Sequence, residues 1–307
     1  MINLIATAAS RKQASQLLAA GIDTLYVGED YFGLRLPHSF ERAELTELVD
    51  LVHQAGKKVT VAVNALMHND RINKVGDYLY FLAELKVDQI TVGDPGVVYL
   101  LQQEKLPLQF IYDSEVLMTS SRQINFWARH GAIGAVLARE VPYGELVKLA
   151  PELKIPAEVQ VYGATCIHQS GRPLVHNYFS FVQEHQDRAD RQRGLFVSAP
   201  HKPETHYSIY EDINGTHLFA NNDLNLMGKL PQLQTLGLTN WKLDGLFAGE
   251  AEFVTIARQF VQAKQALSAG EWTPDLAATL SAAVVAQQPA ERGLDTGFYD
   301  IDPSEVQ

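Results

Sequence analysis

Short β-branched runs alternate with segments of helical periodicity from the first residue onward. The runs Ile2–Ala6, Thr24–Gly28, Lys58–Asn64, Gln89–Gly93, Gln109–Tyr112, Ala135–Ala138, Ala157–Tyr162 and Asn240–Asp244 read as strands. Most are separated by one segment with apolar residues near i, i+3 and i+4. Arg11–Ala20 stops at Gly21 and Arg42–Ala55 stops at Gly56, both helix-ending signals, and Arg71–Leu85 leads into the fourth strand. Such alternation implies parallel strands joined by crossover helices. Eight units predict a closed α/β barrel of the (β/α)8 TIM type rather than an open doubly wound sheet. The first strand-to-helix turn has no G-x-G-x-x-G, which removes the main argument for a dinucleotide site.

The spacing breaks once, over about 77 residues from Gly163 to Thr239. The expected organisation is a single barrel domain over 1–307, with 163–239 as an insert after strand seven and 285–307 as a C-terminal tail. Within the insert, Tyr178–Arg193 reads as a helix. His206–Ile209 and His217–Ala220 read as a hairpin around Asn214-Gly215. Extra structure in a barrel's βα loops sits over the active-site face, so the insert is expected to cap it. Glu252–Leu267 reads as the closing helix, and Gly293–Gln307 as an extended tail.

Composition narrows the class. The formal net charge of -11 argues against gripping nucleic acid unaided, DNA included, because phosphate neutralisation needs clustered Lys and Arg. RNA stays open if a partner subunit supplies the basic surface. One cysteine, Cys166, excludes an internal disulfide framework, a four-cysteine zinc site and a self-contained iron–sulfur site. No signal peptide or membrane-length apolar run is visible, so a soluble cytoplasmic protein is expected.

Barrel enzymes carry their chemistry at the carboxyl ends of strands. Strand two exits into Glu29 and then Arg35, strand three at Asn64 followed by His68, and strand four at Asp94. Strand five exits at Asp113-Ser114-Glu115 and strand six at Arg139-Glu140. Strand seven carries Gln160 and leads to Cys166, with Arg172 beyond, and strand eight carries Lys242 and Asp244. Bland readings stand beside these. Asp94-Pro-Gly is a turn signal, His68 a helix-entry residue, Arg139 and Glu140 a loop-edge pair, and Asp244 a helix cap. Arg35 beyond a Gly turn suits an anion. Polar groups at seven consecutive exits predict a pocket for a small anionic or hydroxylated ligand.

Familiar catalytic signatures are missing: no G-x-S-x-G, no H-E-x-x-H and no Walker A sequence. Cys166 with His168 two residues on makes no nucleophile–base pair by itself, so a plain buried or loop cysteine is the default. His176, His185, His201, His206 and His217 lack metal-ligand spacing, and no metal site is expected.

The same residues carry a resemblance. The stretches Gly21 to Gly28, Phe32 to Arg35, Gly56 to Asn64, His68-Asn69, Gly93 to Gly96 and Leu137 to Glu140 match a family pattern in order. Gly163 to Cys166, Ser170 to Arg172, Asn222 to Leu224, Lys242 to Gly245 and Arg292 to Phe298 continue it. On these the chain resembles the collagenase-like peptidase family U32, of unknown catalytic type. The likeness is strongest to a short branch associated with prephenate-dependent 5-hydroxylation of the wobble uridine of tRNA.

The resemblance implies a barrel acting in hydroxylation as the small subunit beside a longer relative, reaching tRNA through the complex, with prephenate as co-substrate. Members that run such chemistry hold an iron–sulfur cluster through four cysteines. Cys166 keeps the first, whereas Pro173, Phe196 and Asn225 stand at the other three, so no cluster is expected on this chain alone. Arg35 and Arg139 would suit a dicarboxylate. The alternatives are a peptidase, as the family's name says, or a non-catalytic scaffold subunit.

Overall fold

The computed structural model describes residues 1–114, 118–184 and 188–305. Seven parallel strands follow one another around a barrel: β1 (Asn3–Thr7), β2 (Thr24–Gly28), β3 (Lys58–Val63), β4 (Gln89–Val92), β5 (Phe110–Tyr112), β6 (Gly134–Val136) and β7 (Ala157–Gly163). The first six crossover helices are α1 (Arg11–Ala20), α2 (Arg42–Gln54), α3 (Asn69–Leu85), α4 (Pro95–Gln103), α5 (Ser121–Arg129) and α6 (Tyr143–Leu149). The expected barrel is therefore present, with strand bounds within two residues of those expected and β2 matching at both ends.

The chain then leaves the barrel. The insert contains β8 (Cys166–Ser170), α7 (Leu174–Phe181), β9 (Phe196–Ala199), β10 (Lys202–Asp212) and β11 (Gly215–Phe219). These four strands form a separate antiparallel sheet in the order β8-β11-β10-β9. Next, β12 (Asn222–Asn225) pairs antiparallel with the end of β7, and α8 (Leu230–Thr235) makes the last crossover. The barrel closes through β13 (Asn240–Leu243), which pairs in parallel with both β7 and β1. After it come α9 (Glu250–Ala269), α10 (Pro274–Val285) and β14 (Gly293–Asp295), which lies along β12.

The hairpin around Asn214-Gly215 forms, with Gly215 at φ 105°. A β-carbon on Gly215 would stand 2.0 Å from the Ser170 carbonyl oxygen, so only glycine fits between β8 and the turn. The helix expected over Tyr178–Arg193 is corrected: α7 runs over Leu174–Phe181, entered at Pro173, and the chain turns at Gln183 with φ 59°. The Gln-, Asp- and Arg-rich stretch beyond has no apolar stripe to bury, and its described residues contain a 3-10 turn at Arg191–Arg193. His185 lies outside the described residues. Residue 285, where the tail was expected to begin, still belongs to α10, a helix absent from the sequence reading; in the segment expected to be extended, β14 spans Gly293–Asp295 and a 3-10 turn spans Pro303–Glu305.

Burial follows the pattern. Alternate barrel residues point outward into a core shared with the helices. There Trp241 is fully buried, its indole N–H donating to the Leu238 carbonyl at 2.7 Å.

Candidate functional site

Residues at one level of parallel neighbours share a face, and Ile5, Lys242 and Gln160 are register partners on β1, β13 and β7. Lys242 is buried, with Nζ 3.6 Å from the centre of the Tyr26 ring and 3.8 Å from Glu158 Oε1. Burial alone would lower its pKa. Tyr26, Glu158, Asp113 and Asp244 outweigh that and hold it above the ordinary lysine value. Lys242 is therefore a fixed cation rather than an amine poised for nucleophilic attack. The Tyr26 hydroxyl shares a hydrogen bond with Thr91 at 3.1 Å, fixing the ring beneath the ammonium.

The rim above is built from strand exits. Asn64 accepts the Leu34 amide at 3.0 Å and donates to Asp113 at 2.8 Å, both side chains buried. Arg139 donates through Nε to Gln160 at 2.6 Å, and Gln160 donates to the Ala164 carbonyl at 3.1 Å. Asp244 accepts the Leu246 amide at 2.9 Å. Gly163, at φ 110°, passes so close to the Asp244 carbonyl that a β-carbon would lie 2.1 Å from its oxygen. Asp94 caps α4 through Gly96 and also accepts the Met67 amide, both as acceptor bonds of 2.7–2.8 Å. Burial, with Asp94 and Asp113 nearby, pushes the Tyr112 hydroxyl up to about 12.

The loop after β2 closes the mouth. Leu36 packs with Ile5, Tyr26 and Ala62, all of them buried. The insert clamps this loop: Arg191 donates to the Leu36 and Pro37 carbonyls, and Asn214 Nδ2 donates to the Asp30 carbonyl at 2.9 Å. Arg35 is held in the left-handed region at φ 52° and is buried. Its Nη1 lies 2.8 Å from Gln169 Oε1 and 3.4 Å from His217 Nδ1. The residue expected to hold an anion thus also ties the barrel mouth to the insert sheet.

A second polar group lies on that sheet. His217 is fully buried, 2.9 Å from Asp212 through Nε2, and lies near enough to the Cys166 side chain for that thiol to act on its pKa. Burial pushes the imidazole pKa down, but the Asp212 and Cys166 contacts raise it above its ordinary value. Cys166, His217 and Asp212 are a thiol, an imidazole and an orienting carboxylate in one cluster. The hairpin marked His217 in sequence only as strand residue. Tyr26, Glu158 and Thr91 were also missed, although period-2 alternation along buried strands was the available signal.

The other candidates point elsewhere. Glu29 turns toward the helices, 3.9 Å from Arg42, with its pKa raised by burial and then modulated by Arg42 and Glu41. His68 is exposed at the N-cap of α3 and Arg172 is exposed beyond β8. Glu140 is part-buried in the turn after β6. Glu115 lies outside the described residues.

The donor set does not fit a four-thiolate cluster. Cys166 is engaged with His217 and donates to the His168 carbonyl at 3.3 Å, while Phe196 begins β9 and Asn225 ends β12. Among the described residues no three His, Cys, Asp or Glu side chains gather to hold a metal, and no helix is long and apolar enough to cross a membrane.

A closed barrel with a charged lumen, with an inserted sheet bonded to the loop after β2, defines a (β/α)8 protein carrying an insert. The chain belongs to peptidase family U32, whose model matches residues 9–307. It is 32% identical to tRNA hydroxylation protein P2 of Bacillus subtilis (strain 168), over 96% of each chain. It is 24% identical to tRNA hydroxylation protein P1 of the same organism, covering 79% of this chain but 58% of that one. Among solved structures, the U32 peptidase Mk0906 superposes with a TM-score of 0.51 at 16% identity, over 80% of this chain and 92% of that one, a likeness of fold.

Proposed function

We propose that this chain is the small component of a system that 5-hydroxylates the wobble uridine of tRNA, acting in the cytoplasm beside a longer relative. The observation that carries the reading is the end-to-end similarity to tRNA hydroxylation protein P2. That one organism has both a P1 and a P2 protein supports the pairing. With one cysteine, this chain leaves cluster chemistry to the partner. The net charge of -11 supports RNA contact shared between two chains. Prephenate is the proposed co-substrate, a dicarboxylate suited to a guanidinium such as Arg35 or Arg139.

Mass spectrometry of tRNA nucleosides from cells lacking this gene tests the reading. Loss of 5-hydroxyuridine-derived nucleosides, restored by the wild-type gene, is expected. Unchanged nucleosides in cells that retain the longer relative would overturn the paired-subunit reading.

A second reading, peptide hydrolysis, is favoured by the contact of Cys166 with His217 and of His217 with Asp212. It expects release of fragments from labelled gelatin by the purified chain, abolished in Cys166→Ser. Equal release by wild type and variant removes it.

A further inference from the structure

On the outer side of the insert, between β9, β10, the turn after β13 and the segment before β14, lies a cavity of about 320 Å³. This is at the small end of ligand-binding pockets. Its walls are unusually aromatic for a surface cleft, and they come in two ring platforms. Phe196, half exposed at 51%, sits with its ring centre 4.1 Å from that of His206. Phe247 carries the Arg292 guanidinium 4.6 Å above its ring centre. Buried Tyr210 lies behind, with ring centres 6.4 Å apart from Phe247.

The guanidinium over Phe247 is held in place. Arg292 is fixed by Asp223, by Ser208 Oγ and by the Ala220 carbonyl. Because Ser208 Oγ accepts from Arg292, its own hydrogen points elsewhere and is left to donate. The His206 ring nitrogens have no hydrogen-bond partner among the described residues. Two flat faces with an adjacent donor and an imidazole edge suit a planar heteroaromatic ring, which stacks and is then read at its edge.

The charge around the cavity differs from that of the chain. Residues 188–206 carry four Lys or Arg against two acids, in a protein of net charge -11. Arg191, on the cavity wall, donates to the Leu36 and Pro37 carbonyls, and Arg193 donates to the Arg188 carbonyl. Those hydrogen-bond acceptors are neutral carbonyls, while the Asp30 carboxylate also acts on Arg191. Glu291 is the acid on the wall, and it is exposed. Aromatic faces beside arginines are the combination that takes a base together with its phosphates.

We propose that this cavity receives an unstacked nucleotide of single-stranded RNA, the base on the Phe196–His206 platform and the phosphates toward Arg191 and Arg193. The choice of RNA rests on the tRNA reading above, whereas the stacking geometry does not. Binding here would give this chain its own contact with an anticodon loop, where bases are splayed out of the helix.

The test is fluorescence anisotropy with the full chain and a labelled 17-nucleotide anticodon stem–loop, beside a fully paired RNA hairpin and the same loop as DNA. The stem–loop is expected to bind more tightly than the paired hairpin and to weaken steeply with added salt. Phe196→Ala and His206→Ala, both on exposed or part-exposed positions, are expected to weaken loop binding about ten-fold. Their melting temperatures should stay at the wild-type value. Equal affinity for loop and paired hairpin, no binding by the full chain, or an unaffected Phe196→Ala would each overturn the proposal. Tighter binding of the DNA loop than of the RNA loop would overturn the choice of RNA. Loop binding with unchanged cellular nucleosides would keep the cavity and remove the hydroxylation reading. Lost nucleosides with no loop binding would do the reverse.

Discussion

The Lys242 ammonium lies 3.6 Å over the centre of the Tyr26 ring, inside a barrel whose mouth is closed by Leu36. The same ammonium is 3.8 Å from Glu158, with both side chains almost wholly buried. A buried charge left without its partner costs far more than the pair contributes. Lys242→Met, which takes the ammonium away from buried Glu158, is expected to lose about 3–5 kcal/mol in urea unfolding. Lys242→Met combined with Glu158→Gln should recover most of that loss. Equal losses in the single and double variants would show that the pair is not coupled.

Asp23, at the opposite end of the barrel, accepts the Leu4 amide at 2.9 Å and contacts Lys57 and Lys264. Burial raises its pKa, but the Leu4 amide and then Lys264 and Lys57 bring it below the ordinary value of 3.8. A depressed carboxylate stabilises the fold above its unfolded pKa, and that stabilisation is lost as pH falls through the folded value. Asp23→Asn is expected to cost about 1–3 kcal/mol at pH 7. The gap between wild type and variant, followed by urea unfolding from pH 7 to pH 3, should close toward the acid end.

The tail is latched by Arg292, which makes two bonds to Asp223, at 2.6 and 2.9 Å, with both side chains buried. Arg292→Met leaves Asp223 without that partner, and a loss of about 3–5 kcal/mol is expected. Hydrogen exchange should accelerate at the β14 amides, which this latch keeps beside β12. Unchanged exchange there would mean that the β12–β14 pairing holds without the arginine.

The barrel was legible because its signal is local and repeated. Each strand is a short β-branched run, and each of Gly21 and Gly56 ends its helix segment at a positive φ. The hairpin was legible from Asn214-Gly215 for the same reason. The insert's connections were not, because they depend on partners far away in sequence. Nothing near β12 announces that Leu224 will pair with Gly163, or that Leu294 will lie beside Asp223. The site divided along similar lines. Asn64, Arg139, Gln160, Lys242 and Asp244 could be read from strand ends, since barrel topology fixes where strand ends go. Glu158 and Tyr26 sit inside strands, where alternation says only that a side chain faces the lumen. His217 and Asp212 meet Arg35 and Cys166 only after the hairpin has folded over the mouth.

That last contact makes the clamp between insert and barrel pH-dependent. His217 faces Asp212, Cys166 and Arg35, with the Asp30 carboxylate also near, and Asp30 is itself raised by burial and by its neighbour Asp212. The imidazole gains its proton more readily in the fold than in the unfolded chain, whose value is near 6.5. Its contribution is therefore complete below that value and is lost as pH rises through the raised folded pKa. His217→Gln keeps a polar side chain but cannot take up the charge. The wild type should exceed this variant by about 1–3 kcal/mol under mildly acidic conditions, the worth of a hydrogen bond to a charged group. The difference should shrink steadily on the alkaline side of neutrality. Unfolding curves between pH 5.5 and pH 9 read this directly, and a difference independent of pH would mean that folding leaves the imidazole pKa where it is in the unfolded chain. A difference that grows toward alkaline pH would mean that the fold holds His217 neutral, and the Asp212 contact then serves only to orient the ring toward Cys166 and Arg35.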